Sequence, residues 1–117
     1  MITDNLRDWI VSQIDTELGS GSGDFGLGGN STNPSSVGLD VPLSQSANIT
    51  LTKASTENVF EVKLTMNNAG SYIAGKVLRE AGIFDSSSDL WLRESFEGIG
   101  SFSTTETVEI IFILEVE

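Results

Sequence analysis

Phe60-Glu61-Val62-Lys63-Leu64-Thr65-Met66 alternates apolar and polar side chains without interruption. A period of two sends alternate side chains to opposite sides of an extended chain, so this stretch predicts a half-buried antiparallel strand. The same pattern stands just upstream, where Ile49 and Leu51 alternate with Thr50 and Thr52. Downstream, Lys76–Phe84, Leu90–Phe96 and Thr107–Val116 read as further β segments, richer in apolar residues and therefore expected to lie centrally in a sheet. Asp85-Ser86-Ser87-Ser88-Asp89 is polar and short enough to join the first two of these as a hairpin. At least five strands within about 70 residues, with short turns and no second helix, predict a mainly β domain over 47–117. The expected architecture is a small antiparallel β-sandwich or barrel.

Upstream of residue 47 the period changes. Over residues 3–18, Leu6, Trp9, Ile10, Ile14 and Leu18 recur every three or four positions, while Arg7, Asp8, Gln13 and Asp15 fall mainly elsewhere. That spacing predicts one N-terminal α-helix within residues 1–18. Thr3 or Asp4 can cap it by accepting from the free N–H groups of the first turn, and Gly19 can end it. A helix of about four turns is unstable alone, so its apolar stripe is expected to dock onto a neighbour or onto its own sandwich. Residues 19–46 follow as GSGSGDFGLGG, NSTNPSS and VGLDVPLSQS. The glycines, then Pro34 and Pro42, oppose both helix and central strand. Phe25, Leu27, Val37, Leu39, Val41 and Leu43 punctuate the stretch, which a free linker would not need. A long, irregular Gly/Ser-rich arm, pinned to a surface by spaced apolar side chains, is the expectation.

The chain has 117 residues, the length of one domain. Its 17 acidic residues against 6 basic ones give a formal net charge of −11. That field repels phosphate and argues against non-specific nucleic-acid binding and against docking on an anionic membrane. With no Cys and no His, disulfides, thiolate nucleophiles, Cys-based metal sites and Ser–His or Cys–His pairs are excluded, leaving carboxylate or lysine chemistry. No apolar run approaches the roughly 20 residues that span a bilayer, and Met1 leads into polar sequence, so a soluble, unprocessed protein is expected. The acid surplus beside only Lys53, Lys63 and Lys76 fits a halophilic, high-salt origin as well as an ordinary acidic domain.

Few residues suggest chemistry. Gly21-Ser22-Gly23-Asp24-Phe25-Gly26 matches G-x-G-x-x-G in letters. The dinucleotide fingerprint needs a strand before it and a helix after it, whereas here a helix precedes and Asp24 repels phosphate. Glu80 and Glu94 each sit inside an otherwise apolar strand beside an arginine. They read either as the carboxylate pair of a glycosidase or as an Arg–Glu lattice across strands, and the lattice is favoured. Asp85 and Asp89 flank the tri-serine turn and suggest either calcium or, more simply, a hairpin. Asn30-Ser31-Thr32 and Asn48-Ile49-Thr50 match a short, common glycosylation pattern. No catalytic residue, cofactor or metal is assigned. Trp9, Trp91, Phe60, Phe84, Phe96 and Phe112 read as core or interface anchors, whereas Phe25 and Phe102, in Gly- and Ser-rich surroundings, read as partner contacts.

The order of elements resembles that of small structural proteins of tailed viruses, the tail-fibre, baseplate and tail-tip components. These tend to show an N-terminal helix, a glycine-rich "GTG-x-x-x-P" arm, a stretch containing "Leu-Gly-x-Glu/Pro", alternating strands, an "I-x-E-x-G-(I/L)-F-(D/N)" strand, a hairpin ending in "L-x-R-x-x-F" and a final apolar strand. The counterparts here are Gly26–Pro34, Gly38–Leu43, Val77-Leu-Arg-Glu-Ala-Gly-Ile-Phe-Asp85, Leu90-Trp-Leu-Arg-Glu-Ser-Phe96 and Val108–Val116. Glu80-Ala-Gly-Ile-Phe-Asp85 is the most specific piece. GLGG replaces the usual first glycine cluster, and Arg79 stands where a neutral residue is usual.

The resemblance implies a non-catalytic virion building block whose partners are its own copies and other virion proteins. On that reading the helix stripe Leu6, Trp9, Ile10, Ile14 and Leu18 docks, and the arm laces across the next subunit through Phe25, Leu27 and Leu39, with Phe102 as a further contact. A capsid decoration or vertex-turret protein, and a carbohydrate-binding module for host surface glycan, are the alternatives.

Overall fold

The structure, a computed structural model, describes residues 1–28, 38–56 and 58–116. Asn30-Ser31-Thr32, Pro34 and Val37 lie outside the described residues. Helix α1 (Asp4–Leu18) starts behind Thr3, whose carbonyl accepts from the N–H groups of Leu6 and Arg7, both at 3.1 Å. No side chain caps it, contrary to expectation, because Asp4 turns instead to Arg7 at 3.1 Å. Gly19 closes the helix at φ +54°, a conformation that costs a Cβ-bearing residue and not glycine.

The first strand falls where an irregular arm was expected. β1 (Ser22–Gly26) carries three residues with little β propensity, Gly23, Asp24 and Gly26, and forms because the backbone of β4 (Leu78–Phe84) pairs with it from Ser22↔Phe84 to Gly26↔Glu80. Tertiary pairing overrides propensity here. After a 3-10 turn (Ser46–Asn48) come β2 (Thr50–Thr56), β3 (Val59–Met66), the short helix α2 (Gly70–Ile73), then β4, β5 (Leu90–Ile99) and β6 (Val108–Glu115).

Two three-stranded antiparallel sheets result among the described residues, ordered β1-β4-β5 and β2-β3-β6. The fold is therefore mainly β, a small sandwich with one long N-terminal helix. Phe60, Val62, Leu64 and Met66, the row of the alternating stretch, form one core with Phe25, Leu78, Ala81 and Ile83 of the other sheet. Each of the larger side chains among them contributes about 1.5–3 kcal/mol by leaving water, and Ala81 less.

The short helix α2 stands where no second helix was expected, and two further expectations change. β3 and β4 are the central strands, whereas β5 and β6 are edges. The helix is also rotated: Val11 and Leu18 are buried and Ile14 partly so, while Leu6 and Trp9 remain 43% and 60% exposed. At about 100° per residue, Trp9 and Leu18 lie about 180° apart, so the spaced run winds around the helix instead of holding one face. The rotation is pinned from outside the helix. Lys53 Nζ donates to the Asp15 carbonyl (2.9 Å) and pairs with its carboxylate (3.4 Å), and Ser86 Oγ donates to the Leu18 carbonyl (2.9 Å).

Candidate functional site

Cross-strand register decides which side chains share a face. In the β1-β4-β5 sheet it lines up Asp24, Gly82 and Arg93 in one row and Gly26, Glu80 and Ser95 in the next. These rows lie on the side away from the core, yet Glu80 is 0% exposed and Asp24 is buried. The chain that covers them is the described part of the arm.

Glu80 Oε2 accepts from the backbone N–H groups of Gly28 and Val41, each at 2.9 Å, and Oε1 accepts from Asp40 N–H at 2.9 Å. Arg93 Nη2 donates to Glu80 Oε1 (3.2 Å) and reaches the Asp40 carboxylate (2.9 Å). One row along, Asp24 accepts from Ser44 and Gln45 N–H at 2.9 and 3.1 Å. Main-chain bonds complete the attachment: Leu27 N–H to the Val41 carbonyl (2.9 Å) and Leu43 N–H to the Phe25 carbonyl (3.0 Å). Glycines make room for this layer. A Cβ on Gly26 would come within 2.5 Å of Glu80 Oε2, and one on Gly82 within 2.9 Å of Leu39 Cδ2. Two carboxylates thus replace water for a strap of backbone that cannot form a ladder of its own, and charge-assisted bonds to N–H groups are the strong kind.

Asp85 organises the hairpin. Its carboxylate accepts from the N–H groups of Asp89 (3.0 Å) and Ser87 (2.9 Å) and from Trp91 Nε1 (2.9 Å). These bonds, the Asp89 N–H foremost, hold its pKa below the ordinary aspartate value. The Asp85 carboxylate, one of the two suggested for calcium, is engaged in the turn. Among the described residues no group of three or more acidic side chains converges as metal ligands would, and no helix is long and apolar enough to cross a membrane.

The predicted contact residues divide. Leu18 and Phe25 are fully enclosed by their own chain, so their assignment as interface anchors is corrected; Phe25 is a β1 core residue facing Ala81. Leu27 and Phe102 pack against the core and Leu39 over Gly82, all partly buried. The described part of the arm lies on its own sheet. Ile10 and Ile14 are half-buried, and Leu6 and Trp9 face outward. The G-x-G-x-x-G stretch is the strand β1 itself, with Asp24 fastened to the arm. Glu80 belongs to an arginine–glutamate network, whereas Glu94 is exposed on edge strand β5.

Two features escaped the sequence reading. Ile111 and Ile113 stand 50% and 68% exposed on the outer face of β6. The signal was the unbroken run Ile110-Ile111-Phe112-Ile113-Leu114, which places apolar groups on both faces of one strand. An apolar cleft of about 340 Å³ also lies between the sheets beside α1, lined by Ile14, Phe60, Ile83, Trp91, Leu92 and Leu114 among others. No protein-family profile and no curated protein matches this chain.

Proposed function

We propose that this chain is a non-catalytic structural protein of a tailed virus, built into the virion as a homo-oligomer at the tail tip, baseplate or fibre attachment. The observation that carries the reading is bare apolar surface on two separate elements, Leu6 and Trp9 on α1 and Ile111 and Ile113 on β6. Apolar groups displayed in patches on a small, strongly acidic domain mark surfaces that other proteins cover.

The buried carboxylates support the non-catalytic part. Asp24 and Glu80 are committed to holding backbone N–H groups, and Glu80 also holds Arg93. The segment on which the viral resemblance rests has a mechanical role. In Glu80-Ala-Gly-Ile-Phe-Asp85, Glu80 fastens the arm, Gly82 admits Leu39 and Asp85 builds the hairpin.

The test is peptide mass spectrometry of purified virus particles, with gold-labelled antibody imaged on the same particles. Copies in fixed stoichiometry with label at the tail are expected. Absence from purified particles overturns the reading, and label confined to the capsid overturns the tail placement.

A further inference from the structure

We infer that the outer edge of β6 is a self-pairing surface: two copies of this chain join β6 to β6, antiparallel about a two-fold axis, merging two three-stranded sheets into one of six strands. The inference rests on the self-assembly part of the proposed function and says where that assembly occurs.

A sandwich of two three-stranded sheets has four edge strands, and an unprotected edge is a template for another strand. Three of the four carry a protecting device. β1 is bridged by the arm through Gly26↔Pro42 and the bonds around it. β2 turns a charge toward the core side, since Lys53 stands opposite Val62. β5 does the same with Glu94 opposite Ala81, and its pairing with β4 is broken by register shifts. Among the described residues β6 has none of these. Its register with β3 runs without a shift from Val59↔Glu115 to Met66↔Val108, its inward row is Val108, Ile110, Phe112 and Leu114, and its outward row holds Ile111 and Ile113. Its charges are confined to the ends, at Glu109 and Glu115.

The sequence of β6 also selects its occupant. In the antiparallel register that places Phe112 opposite Phe112 of a second copy, Ile111 meets Ile113 and Ile113 meets Ile111 on the outer face. On the inner face Ile110 meets Leu114 and Leu114 meets Ile110. Every apolar residue finds an apolar partner, and such cross-strand pairs are the unit of sheet stability. Shifting by two residues in either direction sets an isoleucine against Glu109 or Glu115. Leu114 also lines the cleft between the sheets, so the second copy would continue that apolar surface. The favoured register opposes Glu109 to Glu115 at both ends, and each copy brings a charge of −11. Pairing is therefore strengthened by salt, whose screening length falls to about 3 Å near 1 M.

The test uses the absence of native cysteine. Ile111→Cys and Ile113→Cys chains, oxidised alone and mixed, report the register directly. Directly opposed Cα atoms at about 4.5–5.5 Å suit a disulfide, and the diagonal at about 7–8 Å does not. The mixture is expected to yield several-fold more cross-linked dimer than either chain alone. In parallel, Ile111→Lys with Ile113→Lys is expected to halve the mass found by light scattering near 1 M salt, with circular dichroism unchanged, while Leu6→Lys leaves the β6 cross-link intact. A wild-type assembly that keeps its mass in the double lysine variant, or equal cross-linking in all three samples, overturns β6 pairing and leaves self-assembly standing. A wild-type chain that is monomeric throughout overturns both.

Discussion

Glu80 has no contact with solvent, and its two oxygens receive three backbone N–H groups and a guanidinium. Removing one member of such a buried set strands the others, which costs more than the set contributes over an apolar alternative. Glu80→Gln keeps the shape and loses the charge, so it is expected to destabilise the fold by about 3 kcal/mol in urea titration and to speed amide exchange at Val41. A change below about 1 kcal/mol would show that the arm is held by its main-chain bonds alone. Asp85 makes a different prediction. Its folded pKa lies below the unfolded value near 4, so its contribution is present above that value and disappears as pH falls through the folded pKa. Carboxyl titration by NMR should find Asp85 more acidic than an ordinary aspartate, and Trp91→Phe should move it back upward by removing one donor. Both positions stood out in the sequence, Glu80 as a charge within an apolar strand and Asp85 as the head of a serine turn. Asp24 did not, because nothing local shows that a loop twenty residues away will present its amides.

At the scale of elements, the helix and the alternating strands were legible because periodicity is a local property that burial then exploits. The helix's rotation was not, since it is fixed by Lys53 and Ser86 from distant parts of the chain. Strand β1 was hidden for the same reason: Ser-Gly-Asp-Phe-Gly has the composition of a loop and becomes a strand only beside β4. The rotated helix separates two roles that spacing alone had merged. Leu18→Ala, which empties a buried site, is expected to cost about 2–5 kcal/mol. Trp9→Ala should change the stability of one isolated chain by less than about 0.5 kcal/mol, because its side chain rests on the surface. Equal losses at both positions in thermal unfolding would mean that the outward face packs within the chain after all.

For the whole molecule, the sandwich followed from strand number and turn length, but the ranking of strands did not. Apolar richness in β6 resembles that of a buried strand, and only the sheet order shows that it marks an edge with both faces apolar. A single copy closes its core between the two sheets, straps the arm over the outer face of β1-β4-β5, and leaves Trp9, Ile111 and Ile113 outside. The same chain carries a charge that keeps copies apart at low salt. If copies assemble as proposed, these opposing tendencies make the assembly a function of ionic strength, and multi-angle light scattering of the unmodified chain from about 0.05 M to about 2 M salt reads it directly. The expected result is a weight-average mass that rises with salt from that of one chain to at least that of two. A mass that stays at one chain across the whole range, at concentrations high enough for virion assembly, would contradict the account.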